Sequence, residues 1–246
     1  MNKQMLRPAI AMIELIFALV IMGIVLLSAP QLINTATKSG FVAIQQEGIN
    51  AAASQVNMAM GYHWDESTAD ESFLDPIVQV TAGDADLDES NTSGVFTGHR
   101  LGTPQESYRS FIRSDGNRVS ASSIGTLDAG ETGDHDEDDI DDFNGNTSLV
   151  EIEGAGLVDY VEKDVTININ TAVRYISDTA NYNTATLTFS PDLNTSSGTT
   201  TAASSTNIKR ITATLTSSGP VELEKTIILH AFSCNIGGYH LEERDF

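Results

Sequence analysis

The sequence predicts an α+β fold, a long N-terminal α-helix packed on a C-terminal antiparallel β-sheet. Three observations carry this. An apolar run from Ala9 to Ala29 is followed by a stretch with helical periodicity that reaches about Tyr62. Short β-branched segments with period-two alternation occupy the chain from about residue 149 onward. Between them lies a poorly periodic region rich in Asp, Ser, Gly and Thr. Helical and strand periodicities in separate blocks, not alternating ones, are the mark of α+β architecture.

The N-terminal block divides in three. Residues 1–9, "MNKQMLRPA", form a short basic leader with Lys3 and Arg7. Residues 10–30 are apolar over about 20 positions, enough to cross the hydrocarbon of a bilayer as a helix. Positive charge on the leader side predicts a cytoplasmic N-terminus and an exported remainder, a single-pass arrangement. Residues 31–62 continue as an amphipathic helix in which Phe41, Ile44, Ile49, Ala52, Val56 and Met60 recur on one stripe, with Gln45, Gln46, Glu47, Asn50 and Gln55 between them. From Ile10 to Tyr62 such a helix is a rod of about 80 Å at a rise of 1.5 Å per residue. Pro30 predicts a bend, because it removes one backbone donor and crowds the preceding turn. Gly40 and Gly48 weaken the helix locally.

Residues 63–148 read as an acidic, loop-rich insert, with "SYRSFIRS" (107–114) its best strand candidate. In the sheet region, 149–246, the strand candidates are "VTININTAVRYIS" (165–177), "ATLTFSP" (185–191), "IKRITATLT" (208–216) and "EKTIILHAFSC" (224–234). A low-complexity loop, "NTSSGTTTAASSTN" (194–207), separates two of them. Trp64 is expected to pack where helix meets sheet. Cys234, the one cysteine, cannot form an intramolecular disulfide and reads as a small buried hydrophobe.

Composition narrows the function classes. Lys and Arg number 13 against 34 Asp and Glu, a formal charge of −21. A phosphate-binding surface needs excess cations, so no nucleic-acid partner is expected. The charge suits an exported protein kept soluble by self-repulsion. No phosphate-cradling glycine motif is present, no G-x-S-x-G marks a nucleophile, and the five histidines show no metal-ligand spacing. The sequence therefore predicts a protein that is not an enzyme.

Two features invite closer reading. Glu14 is the only charged residue between Arg7 and Lys38. A carboxylate in a membrane span costs about 2.5–3.5 kcal/mol at the centre, which calls for a compensating role. The second feature is the acidic run of Asp134, Asp136, Asp138, Asp141 and Asp142, which could offer several oxygens to Ca²⁺. It is not an EF-hand loop. With Asp134 first, Asp139 stands at the glycine position and Gly145 at the bidentate-glutamate position. A solvated acidic turn ending in Asn144-Gly145 is the competing reading. No other cofactor is expected.

The leader and "AIAMIELIFALVIMGI" (9–24), with an early carboxylate and an amphipathic continuation leading to a sheet, resemble the type IV pilin and type II secretion pseudopilin superfamily. The resemblance implies cleavage by a prepilin peptidase between Ala9 and Ile10, N-methylation of Ile10, and a role for Glu14 in assembly. It also implies other pilin or pseudopilin subunits and an inner-membrane assembly platform as partners. The new Ile10 ammonium and Glu14 would stand one helical turn apart. In a bundle of staggered helices, the carboxylate of one subunit could then neutralise the amine of the next and set register. Three positions depart from the pattern. Ala9 replaces the usual glycine, Ile10 the usual phenylalanine or methionine, and Pro30 lies one residue nearer the glutamate than in major pilins.

"WDES" (64–67), "DDIDDFNG" (138–145) and "IKRITATLT" are similar to segments of minor pilins of the mannose-sensitive haemagglutinin type. The expected protein is thus a minor pilin or pseudopilin, anchored in the inner membrane with its domain in the periplasm before joining an extracellular or periplasmic filament. The alternative is a membrane-anchored extracytoplasmic binding module with calcium-holding acidic loops.

Overall fold

The computed structural model describes residues 6–69, 77–84, 88–90, 96–100, 119–125, 137–152, 165–178, 185–186, 201–218 and 223–237. The architecture is α+β, as the periodicities predict. Helix α1 spans Leu6–Ala59, 54 residues, with Pro30 inside it. It begins within the leader, where Pro8 is tolerated in the first turn because its missing N–H has no helical acceptor there. A four-residue helix α2 (Glu66–Ala69) follows. Strands β1 (Asp88–Ser90) and β2 (Phe96–Arg100) form a two-stranded antiparallel ribbon.

The main sheet has four strands in the order β3-β4-β5-β6, each antiparallel to its neighbour: β3 (Thr147–Ile152), β4 (Val165–Ile176), β5 (Ile208–Ser218) and β6 (Ile227–Cys234). Three of the expected strands are β4, β5 and β6. Strand β3 straddles the boundary drawn at residue 148, and a 3₁₀ turn at Asp141–Phe143 leads into it. The end of the acidic insert is therefore built into the sheet domain, with Ile140 and Phe143 in its core. The strand candidate at 107–114 and all but the first two residues of that at 185–191 lie outside the described residues.

The core forms where the C-terminal half of α1 lies across the sheet, touching all four strands and β5 most extensively. Strand β4 presents Val165, Ile167, Ile169, Val173 and Tyr175 inward while Asn168, Asn170 and Arg174 face solvent. In the observed register Ile169 lies beside Leu215 and Val173 beside Ile211; Ala213 in turn lies beside Leu229. Each apolar row thus continues across strands. On α1 the buried line is Ile44, Gly48, Ala52, Val56 and Ala59. This corrects the expected stripe at two places, since Ile49 is half-buried and Met60 is exposed. The reason is spacing: Gly48, Ala52 and Val56 repeat at one helical turn and track the seam, whereas Ile49 and Met60 fall beside it.

Gly48, which propensity alone counts as a weakness, lies directly against the sheet. A Cβ at that position would stand 2.9 Å from Ile167 Cδ1 and 3.0 Å from Leu215 Cδ1. Cys234 is exposed at the last position of the edge strand β6, correcting the expectation that it is buried. The end of the low-complexity loop is packed, not solvated. Thr206 donates its hydroxyl to the Ile176 carbonyl at 2.5 Å, and Asn207 donates to Asp178 Oδ2 at 2.7 Å.

Candidate functional site

Ala9 and Ile10 lie in the opening turns of α1, and Glu14 follows one turn later with its side chain exposed. The large apolar side chains from Met12 to Leu27 are 52–74 % exposed. No water-soluble surface carries so long an apolar array without a partner phase. From Ala11 onward α1 is long and apolar enough to cross a membrane. Hydroxyls in and just beyond this stretch are satisfied within the helix. Ser28 donates to the Val25 carbonyl and Thr35 to that of Gln31, each at 2.9 Å. Side chains that bond back to their own helix cost little in an apolar medium.

At the other end of α1 the segments WDES (64–67), DDIDDFNG (138–145) and IKRITATLT (208–216) meet. Trp64 and Asp65 follow the helix, Asp139 and Asp141 precede β3, and Lys209 is the second residue of β5. Asp65, Asp139, Asp141 and Lys209 are almost completely buried. Lys209 Nζ donates to the Trp64 carbonyl at 2.5 Å, reaches Asp65 Oδ2 at 3.4 Å and contacts Asp141 Oδ1 directly. Its three hydrogens thus have three acceptors. The ammonium also lies 4.4 Å from the Trp64 ring centre and 5.4 Å from that of Tyr175. Trp64 is half-buried at the helix–sheet junction, as expected, and its indole N–H donates to the Ser233 carbonyl at 3.3 Å.

Asp65 is held from several sides. Its Oδ1 accepts from Ser67 N–H at 3.2 Å and Ser122 N–H at 3.0 Å, and its Oδ2 accepts from the Tyr175 hydroxyl at 3.4 Å. Asp139 Oδ1 accepts from the backbone N–H groups of Asp141 at 2.7 Å and Asp142 at 3.0 Å. Burial, then the neighbouring Asp141, push the Asp139 carboxyl up to about 9, so it is neutral near pH 7. Burial and then the nearby Asp65 raise the Tyr175 hydroxyl well above its ordinary value. One ammonium, two carboxylates and one neutral carboxyl therefore close the junction of helix, loop and sheet. Buried charge of this kind specifies one arrangement, because breaking any pair leaves a charge stranded.

Of the residues read as calcium candidates, Asp134 and Asp136 lie outside the described residues. Asp141 turns inward to Lys209. Asp138 and Asp142 come together with Glu66, and one carboxylate oxygen from each lies within 4.8 Å of the others. Such a trio could supply half of the shell of a hard cation. Sequence reasoning missed Glu66, because the WDES segment and the acidic run are distant in the chain and only the fold joins them. It also missed Lys209, although a signal existed. Lys209 occupies the same alternation phase as Ile211, Ala213 and Leu215, so a lysine stands in the inward row of a strand.

No described protein family, no curated protein and no solved structure matches the chain.

Proposed function

We propose that the chain is a structural subunit of a type IV pilus or a type II secretion pseudopilus, a minor pilin or pseudopilin, and not an enzyme. The supporting observation is the split character of α1. Its first half exposes an apolar surface in which Glu14 is the one charged residue between Arg7 and Lys38, and its second half is fastened to an antiparallel sheet. In this reading a prepilin peptidase cuts between Ala9 and Ile10 and the new amine of Ile10 is methylated. The helix is held in the inner membrane, with the sheet domain on the periplasmic side, until the assembly platform packs it against other subunits. Glu14 neutralises the Ile10 amine of a neighbouring subunit, which removes two charges from lipid at once.

N-terminal sequencing and intact mass of the protein from its host's membranes test the proposal. A start at Ile10 carrying one methyl group supports it. A start at Met1 overturns it.

A second reading, an anchored binding module holding calcium, draws on the convergence of Glu66, Asp138 and Asp142. Under it, added calcium raises the unfolding temperature of the chain and Asp142→Asn abolishes the rise. An unfolding temperature indifferent to calcium overturns it.

A further inference from the structure

A cleft of about 530 Å³ opens where the end of α1 meets the 3₁₀ turn and the start of β3. Its size is that of a small-molecule site. None of Asp65, Asp139, Asp141 and Lys209 lines it. Its apolar part is aromatic. Phe143 is buried, and the Tyr62 ring, 36 % exposed, stands against it with ring centres 5.1 Å apart and planes at 62°. Its polar side chains are held in pairs. Ser148 donates its hydroxyl to Gln55 Oε1 at 3.3 Å, and Asn146 Nδ2 donates to Glu137 Oε1 at 3.0 Å. Each pair keeps capacity for a ligand: the Gln55 amide N–H groups, the Asn146 amide oxygen and the second Glu137 oxygen.

The lining narrows what can enter. Among the described residues that form it there is one carboxylate, Glu137, and no lysine, arginine or histidine. In a chain of charge −21 such a cleft repels anions. One carboxylate is too few for a hard cation. A wholly apolar ligand would leave the amides and hydroxyls without partners.

We infer that the cleft binds one ring of a neutral saccharide. A pyranose carries C–H groups on its faces and, at its edge, hydroxyls that each donate and accept. The exposed Tyr62 ring suits the faces, and Gln55, Asn146 and Glu137 suit the edge. Because these polar side chains already hold one another, a ligand has little ordering left to impose. The site adds a binding activity to the filament role and does not depend on it. Glycan strands of a cell wall and neutral polysaccharides of a cell surface both offer such rings.

The test is saturation-transfer NMR on the full chain in a polyoxyethylene detergent, which has no sugar headgroup. The probes are neutral trisaccharides of N-acetylglucosamine, glucose, galactose and mannose, with trigalacturonate as the anionic control. Transfer to the ring protons of at least one neutral trisaccharide, and none to trigalacturonate, is expected. Preference for N-acetylglucosamine supports a cell-wall strand as the source, and preference for a plain hexose supports a surface polysaccharide. Tyr62→Ala and Asn146→Ala should each weaken binding by about tenfold. Tyr62→Ala also uncovers Phe143, so Asn146→Ala is the decisive variant, since its backbone keeps its bonds to Phe143 and Thr171. Absence of transfer to every neutral trisaccharide overturns the inference, as does equal transfer to trigalacturonate. Unchanged binding by folded Asn146→Ala and Tyr62→Ala also overturns it, because the sugar then sits elsewhere.

Discussion

Asp139 shows how one buried carboxyl shapes stability. Its carboxyl titrates at about 9 in the folded chain, against an ordinary 3.8. Below the ordinary value it is protonated in both states, and its contribution to stability is fully present. As pH rises the unfolded chain ionises first, so folding must take up a proton. The contribution is lost progressively until the folded carboxyl ionises as well. Urea midpoints measured with a chelator present should therefore fall from about pH 5 to about pH 8. Asp139→Asn, which keeps the acceptor oxygen, should flatten the fall. Burial is the largest cause of the shift.

Gly48 makes a second prediction at the same scale. Gly48→Leu drives side-chain atoms into Ile167 and Leu215 and should cost about 1–3 kcal/mol by urea denaturation. Gly48→Ala should cost less, because a gain of about 1 kcal/mol in helix propensity offsets part of the contact.

At the scale of the element, α1 carries two tasks on one rod. Its second half is fixed by the seam of Ile44, Gly48, Ala52 and Val56 on the sheet. Its first half leaves Met12 to Leu27 open to whatever surrounds it. The halves should be separable. A chain lacking the residues before Pro30 should stay in solution without detergent and keep its sheet, as circular dichroism and size-exclusion would show. Glu14→Ala should leave membrane anchoring intact, since it removes a charge from the span, yet abolish recovery of the subunit in sheared filaments. Incorporation at the unaltered level would refute the assembly role of Glu14. Pro30 lies within α1, which continues past it as the periodicity predicts.

At the scale of the molecule, net charge and topology act together. A charge of −21 repels itself in the compact state, so added salt should raise the unfolding temperature of the sheet domain through screening. A decrease on going from low to physiological salt would show that pairs such as Lys209 with Asp65 and Asp141 outweigh the repulsion.

The α+β class, the long helix, its membrane-capable first half and three strands of the main sheet were legible in the sequence. Each depends on periodicity, a local property of neighbouring side chains. Strand β3 was not, because its six residues, TSLVEI, are too few and too mixed to stand out from the acidic run before them. Ile49 and Met60 were misread for a related reason: a stripe drawn from hydrophobicity alone does not know how closely a sheet will approach. The sequence by itself determined that a single carboxylate sits in an apolar helix, that the chain is strongly acidic, and that helix precedes sheet. Only the tertiary structure decided that Trp64, Asp65, Asp139, Asp141 and Lys209 share one buried site, and that Glu66 joins Asp138 and Asp142. Contacts between residues so far apart in the chain depend on how strands pair and where loops return, and no local pattern encodes that.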